Sequence, residues 1–315
     1  MVDWSKTAFV FPGQGSQAPG MGKDLAEVLP AARAVFEEAD AILGFKLSEL
    51  CFSGSEEELG QTINTQPAVF TTGIATLRAL QSLLPDAKPV MTAGHSFGEI
   101  TALVAADALS FADGLKLARE RGRVMKEAGE RSPGAMAALL ALDIDAVREL
   151  VAQATEQTGG VLVVANDNCP GQVVISGDSE TLDAALPIAT KMGARRAVKL
   201  AVSIAAHSPL MASAAEEFRA ILAEIPFQTP RVPVYANLSA APLTSPDAIR
   251  EELGNQLTGG VRWTESVQNM IAAGAELFLE FGSKDVLTGL LKRIDRNVSG
   301  LPLNSLSAVQ GFVAE

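Results

Sequence analysis

The chain has 315 residues, 48% of them hydrophobic and 20% charged, enough to bury a large core, which excludes a disordered or fibrous protein. Its 25 basic residues stand against 37 acidic ones for a net charge of −12, so nonspecific nucleic-acid binding, which needs a basic surface, is excluded. Cys51 and Cys169 are the only cysteines and give no disulfide framework, and two histidines make a zinc site hard to assemble, so no metal is expected.

In chain order, residues 7–11 are a short apolar run that predicts a buried strand, closed by Pro12-Gly13 and followed by the loop 13–17. Neither this run nor any later one approaches the ~20 residues of a membrane helix, so the chain reads as cytoplasmic with no membrane partner. Helical spacing follows over 30–43, Ser55-Glu56-Glu57-Glu58 suggests a capping box, and 66–84 is an amphipathic stretch with Pro67 near its first turn. A short strand over 89–93 runs into Gly94-His95-Ser96-Phe97-Gly98, with helices expected over 99–106 and 111–128.

The rhythm then changes. Strands over 135–142, 161–165, 172–176 and 195–200 alternate with helices over 145–157 and 180–192, with turns at Gly159-Gly160 and Asn168-Cys169-Pro170-Gly171. The order β-α-β-β-α-β is the ferredoxin-like one and predicts a small subdomain over 131–200, inserted into a discontinuous α/β main domain of 1–130 and 201–315. Strands near 232–235 and 276–280, and helices near 209–223, 264–272 and 286–293, complete that main domain.

The segment Gly94-His95-Ser96-Phe97-Gly98 fits G-x-S-x-G, whose glycines permit a strained strand-to-helix turn that exposes the serine oxygen at the head of a helix. The pattern alone is weak; the strand before it and the helix after it give it weight. A serine nucleophile needs a base within hydrogen-bond reach, and histidine has the suitable proton affinity. His95 adjoins Ser96 at a sharp turn, where successive side chains diverge. That leaves His207, in Ala205-Ala206-His207-Ser208-Pro209, just ahead of a helix that Pro209 opens. A lone histidine is more often structural, but the need for a base reverses that expectation here.

Within the helix 111–128, Arg121 has Leu117, Ala118, Val124 and Met125 at its i−4, i−3, i+3 and i+4 positions, so it lies on an apolar face that turns inward. An inward guanidinium requires an anion or several hydrogen bonds. Two readings stand side by side: an internal salt bridge to an Asp or Glu, or a bidentate clamp for a substrate carboxylate. Elsewhere Lys191, Arg195, Arg196 and Lys199 form one local basic stretch, and Lys284, Lys292, Arg293 and Arg296 another; each alone reads as an ordinary solvated face.

These residues are joined by Phe11-Pro12-Gly13-Gln14-Gly15-Ser16-Gln17, Thr65-Gln66-Pro67-Ala68, Gly98-Glu99, Arg121-Gly122, Pro170-Gly171-Gln172-Val173-Val174-Ile175-Ser176-Gly177, His207-Ser208-Pro209-Leu210-Met211 and Val286-Leu287-Thr288-Gly289-Leu290. In this order and spacing the chain resembles, over nearly its whole length, the malonyl-CoA:acyl carrier protein transacylases and the related acyltransferase domains of polyketide synthases. The resemblance implies an α/β-hydrolase-like main domain with a ferredoxin-like insert. It implies Ser96 as nucleophile, His207 as base and Arg121 as the clamp for a malonyl carboxylate. It further implies an oxyanion hole from the N–H groups of Gln14 and Phe97, and Gln256 orienting His207 through its main-chain carbonyl. The activity implied is ping-pong transfer of malonyl from malonyl-CoA to the phosphopantetheine thiol of acyl carrier protein, for fatty acid or polyketide synthesis. No cofactor is implied beyond these thioester carriers.

The chain departs from that pattern at Phe97, where relatives usually carry Leu, at Ala205-Ala206, and at Gly282-Ser283-Lys284 in place of Gly-Pro-Gly. The first two positions line the acyl pocket in relatives, which opens the alternative of a broader extender-unit selectivity. A serine thioesterase or other hydrolase is a further alternative, but that fold orders its triad Ser, acid, His. The best strand-end acid between Ser96 and His207 is Asp167, which falls in the insert. A noncatalytic carrier-binding module, the third alternative, has no need to keep Ser96, His207 and Arg121 together.

Overall fold

Thr7–Phe11 forms β1, and all five of its side chains are buried. Cover on both faces is why it reads as a continuous apolar run rather than an alternation. The computed structural model describes residues 2–202 and 204–314; Met1, Ser203 and Glu315, all within the expected main domain, lie outside the described residues.

Five helices follow, α1 (Lys23–Val28), α2 (Pro30–Leu43), α3 (Leu47–Ser53), α4 (Glu56–Gly60) and α5 (Thr62–Leu83). Ser55 and Glu58 make the reciprocal capping box at the head of α4. The sequence places Pro67 near the start of α5, but the helix begins at Thr62 and carries Pro67 inside it. Proline cannot bond the carbonyl four residues back. That carbonyl, Ile63 O, instead accepts from Arg119 Nη1 at 2.8 Å, so a side chain from elsewhere in the fold fills the gap.

Next come β2 (Met91–Gly94), α6 (Gly98–Ala105) and α7 (Phe111–Arg131). The chain then builds a second sheet from β3 (Ala135–Leu140), α8 (Ile144–Thr158), β4 (Leu162–Cys169), β5 (Gln172–Gly177), α9 (Ser179–Lys191) and β6 (Arg196–Lys199). Its strand order is β4-β5-β3-β6, antiparallel throughout, and it has its own core around Leu150, Ile175 and Leu182. Asp143 and Asp178 cap its two helices. Asn168 and Cys169, a turn by sequence, still belong to β4. Bulges between Val164 and Asn166 and between Asp167 and Cys169 break the alternation that would have marked them as strand.

The remainder is α10 (Ala212–Ala223), β7 (Val234–Tyr235), β8 (Pro242–Leu243), α11 (Pro246–Gln256), α12 (Trp263–Ala272), β9 (Leu277–Phe281), α13 (Val286–Ile294), β10 (Ser299–Leu303) and α14 (Leu306–Ala314). The first sheet has the order β10-β9-β1-β2-β7-β8; its pairings are parallel except that of β8 with β7. Phe11 and Gly94 are paired at the carboxyl ends of β1 and β2, so the loop 13–17 and the turn after β2 face each other, where open α/β sheets bind ligands. The two sheets are tied together by a bridge between Asn166 and Val261, by Thr264 Oγ1 donating to Asp167 Oδ1 at 2.8 Å, and by Arg293 Nη2 donating to Pro170 O at 2.8 Å. No helix among the described residues is long and apolar enough to cross a membrane.

Candidate active site

Ser96 sits in the three-residue link between β2 and α6 with φ at 51°, in the left-handed region that costs a non-glycine residue about 1–3 kcal/mol. The flanking glycines make so tight a turn possible. A Cβ on Gly94 would lie 1.9 Å from Gly98 O, and one on Gly98 would lie 2.1 Å from Phe11 O. Asn237, just after β7, holds the turn from beneath: its Oδ1 accepts from Ser96 N at 2.6 Å and its Nδ2 donates to Gly94 O at 2.8 Å. Nothing in the local sequence marks Asn237 for this, since the contact spans 141 positions.

His207, also at a positive φ of 60°, places Nε2 2.7 Å from Ser96 Oγ. Its Nδ1 faces two carbonyls, Gln256 O at 2.9 Å and Gly259 O at 3.0 Å. Carbonyls only accept, so Nδ1 carries the proton and the Nε2 lone pair points at the serine. Burial first, and the nearby Arg121 charge second, push the imidazole down to about 3, which keeps it neutral at pH 7. His95, the other histidine, turns away as the sharp turn requires: its Nε2 lies 2.7 Å from Asn168 Oδ1, and its ring meets Trp263 edge-on. The bulges in β4 aim Asn168 at it.

Arg121, on α7, is 1% exposed. Among the described residues no Asp or Glu oxygen lies within 4.0 Å of it, so the internal salt bridge does not form. Its partners are neutral: Nη2 donates to Gln256 Oε1 at 2.8 Å and reaches within 3.5 Å of Ser96 Oγ, and Nη1 donates to the weak acceptor Met125 Sδ at 3.2 Å. Its Nε has no partner among the described residues. Desolvation pulls its pKa down to about 10, still far above neutrality, so it remains a cation. A buried cation with donors to spare is a site for an anion. Its neighbours on the helix do surface work instead, Arg123 pairing with Glu120, Glu127 and Glu217.

Beneath these groups lies a buried polar layer, of which the resemblance implied only the main-chain carbonyl of Gln256 and not the side chains of Glu99, Asn237, Glu252 and Gln256. Glu99, fully buried on α6, accepts from Asn237 N at 3.3 Å and from Gln256 Nε2. Gln256 Nε2 also donates to Ser96 O at 3.1 Å. Glu252 on α11 accepts from Leu238 N at 2.8 Å. Burial, and then the Glu252 charge, raise the Glu99 carboxyl well above its ordinary range. The available signal was a glutamate in the apolar helix start Gly98-Glu99-Ile100, which only burial can make informative.

Ser96, His207, Arg121 and Met125 line a cavity of about 330 Å³, which Phe97 and Ala206 also line. Its far wall comes from the second sheet, with Met136, Ala138 and Val174. Ala205, also expected at the pocket, is instead fully buried behind it against Gly134. Gln14 borders the cavity next to Gly13 and Gly15. Neither Gln14 N nor Phe97 N donates to a partner among the described residues, so two main-chain N–H groups of residues that line the same cavity as Ser96 are unpartnered there. An open groove of about 570 Å³ shares Gln14, Val202 and Ile204 with the cavity and runs past Thr62 and Lys126.

Residues 8–303 match a family described as acyl transferase domain. A curated malonyl CoA-acyl carrier protein transacylase of Bacillus subtilis (strain 168) is 44% identical over 308 residues, covering 97% of this chain and 96% of its own length. The crystal structure of a malonyl-CoA:acyl carrier protein transacylase from Xanthomonas oryzae pv. oryzae superposes with a TM-score of 0.94 at 42% identity, covering 100% of this chain and 99% of that one. A malonyl-transacylase solved in complex with its type II polyketide acyl-carrier protein also gives 0.94, at 38% identity, covering 98% of this chain and 99% of its own.

Proposed function

The chain belongs to the acyl transferase domain family, and from that premise we propose that it transfers a malonyl group from malonyl-CoA to acyl carrier protein through an ester on Ser96. The observation that carries the proposal is a 2.7 Å contact between Ser96 Oγ and a neutral His207, with a buried Arg121 guanidinium, unpaired to any carboxylate, 3.5 Å from the same oxygen. His207 Nε2 takes the serine proton as Oγ attacks the thioester carbonyl. Negative charge on the carbonyl oxygen is held by the N–H groups of Gln14 and Phe97. Collapse of the intermediate expels the coenzyme A thiolate, which takes the proton from His207. The phosphopantetheine thiol of the carrier then attacks the ester in reverse and leaves Ser96 free.

Arg121 selects the substrate. A malonyl carboxylate arriving at the guanidinium replaces the Met125 thioether and supplies the unpartnered Nε, forming charge-assisted bonds where weak or missing ones stood. It also neutralises the charge that helps depress His207, so the same contact makes the base more basic. Gln256 orients His207 through its main-chain oxygen. That orienting pair of carbonyls favours the transferase reading over the hydrolase, which uses a carboxylate there. The reaction needs no cofactor beyond its thioester carriers.

In the same reading the main domain, 1–130 and 201–315, is α/β-hydrolase-like and the subdomain 131–200 is ferredoxin-like. The strand order β4-β5-β3-β6 supports the latter. A cytoplasmic location also belongs to the proposal and is supported by two free, buried cysteines, which a reducing compartment preserves. The test is intact-protein mass after incubation with malonyl-CoA. A malonyl adduct that persists, is absent in Ser96→Ala and leaves on addition of holo acyl carrier protein is expected. Turnover to free malonate would mark a hydrolase, and no adduct would overturn the reading.

A further inference from the structure

The Gln256 side chain reaches three parts of the site at once. Its Oε1 accepts from Arg121 Nη2 at 2.8 Å, and its Nε2 donates to Ser96 O and to Glu99 Oε2. A carboxamide has two ends of nearly equal size, so shape alone does not decide which end faces the guanidinium. Turned over, Gln256 would present N–H to N–H at Arg121 and drive the cation from its place. What decides the sense is a pair of acceptors on the opposite side, Ser96 O from the main chain and Glu99 Oε2 from a side chain.

Glu99 is itself held. It is fully buried, its backbone lies in the first turn of α6 directly after the serine turn, and its Oε1 accepts from Asn237 N while Asn237 Oδ1 holds Ser96 N. The chain of contacts therefore runs from the nucleophile's own turn through Glu99 and Gln256 to the anion site, without touching the cavity. Both Glu99 oxygens accept from N–H donors. Glutamine at 99 has a single oxygen, so one of those donors would then face an amide N–H.

We propose that Glu99 is a positioning residue for acyl-donor selectivity: it locks the Gln256 amide with its oxygen toward Arg121 and thereby holds the guanidinium where a substrate carboxylate must arrive. This rests on the assignment of Arg121 as the carboxylate clamp. Glu99 touches neither substrate nor the reacting atoms. Its effect is confined to donors that carry a free carboxylate beside the thioester, because the serine, its base and the free N–H groups serve every thioester alike.

The experiment compares malonyl-CoA and acetyl-CoA as donors for the parent, Glu99→Gln, Arg121→Ala and the double variant. Loss of one buried hydrogen bond predicts that Glu99→Gln lowers malonyl kcat/KM about tenfold. The loss should fall mainly on KM, since the carboxylate contact is made in ground and transition states alike, and acetyl transfer should move less than about threefold. In the Arg121→Ala background the same substitution should leave the malonyl-to-acetyl ratio unchanged, because the group it positions is gone. Equal loss on both donors, no loss, or the same shift with and without Arg121 would overturn the proposal and leave Glu99 a structural residue. If Arg121→Ala alone leaves the ratio unchanged, the clamp assignment fails, and the proposal with it. Should Glu99→Gln not fold, Glu99→Asp withdraws the carboxyl by one methylene from the Gln256 amide. It must then show the same malonyl-selective loss, and a parallel loss on both donors would refute the lock.

Discussion

Replacing Arg121 is the most direct way to ask what its charge is for. The side chain is 1% exposed, bonded to a carboxamide oxygen and a thioether, and has no carboxylate within 4.0 Å among the described residues. Arg121→Ala removes a charge-assisted contact to a malonyl carboxylate and leaves that anion desolvated, a loss of about 3–5 kcal/mol by the scale of broken buried ion pairs. Malonyl transfer should fall by roughly two to four orders of magnitude. Acetyl transfer should be spared or improved, because the Arg121 charge that helps depress His207 is gone. Arg121→Met, which fills the volume with apolar atoms, should keep or raise the melting temperature, since a desolvated cation with an unpartnered Nε is replaced. Arg121→Lys should recover part of the malonyl activity, as an ammonium lacks the planar fork. Single-turnover acylation from each donor, followed by intact mass, and thermal denaturation of each variant supply the measurements. Parallel loss on both donors together with a lowered melting temperature would refute the clamp.

Between its unfolded value near 6.5 and its folded value of about 3, His207 binds a proton only in the unfolded chain, so it removes stability as pH falls through that window. From pH 7 to 5.5 that loss is about 1 kcal/mol, and it should appear as the difference between parent and His207→Ala stability as pH falls; superimposable pH profiles would contradict the neutral, buried assignment. Phe97 and Ala206 line one cavity, so Phe97→Leu should enlarge it and shift competition assays toward methylmalonyl-CoA; an unchanged preference would remove Phe97 from selectivity. Reversing the exposed Lys191, Arg195 and Arg196, or Lys284 with Lys292, should raise KM for an acidic carrier, an effect that shrinks at high salt; unaltered carrier kinetics for both sets would exclude these faces as docking surfaces.

What the sequence discloses about the site is whatever is local. The glycines around Ser96 are neighbours of the residue they serve, and the apolar ring around Arg121 is a matter of helical spacing within one helix. His207 followed from the need for a base and the shortage of histidines. The side chains of the polar layer under the site were illegible because the layer is assembled across the fold: Asn237 reaches the serine turn from after β7, and Gln256, which only the resemblance implied and only for its main-chain carbonyl, arrives on α11, a helix not predicted although Ser245 and Pro246 mark its start. Glu99 was in plain view within the serine motif, but a glutamate early in a helix ordinarily faces water, and only its burial says otherwise. In the fold, β4 was cut short where its bulges disguise the pattern, and β10 carries Pro302, which a strand tolerates at the edge it occupies.

Both Ser96 and His207 occupy backbone conformations that glycine adopts freely. A lineage or laboratory library selected for heat resistance alone, with no demand for turnover, would therefore drift at Ser96 toward glycine, gaining of order 1 kcal/mol. At His207 the cavity left behind and the two freed carbonyls oppose the same relief of strain. Schemes that rank substitutions by backbone compatibility would put an inert protein at the head of their list. Any effort to harden this enzyme has to exempt those two positions first and look for its gains elsewhere in the scaffold.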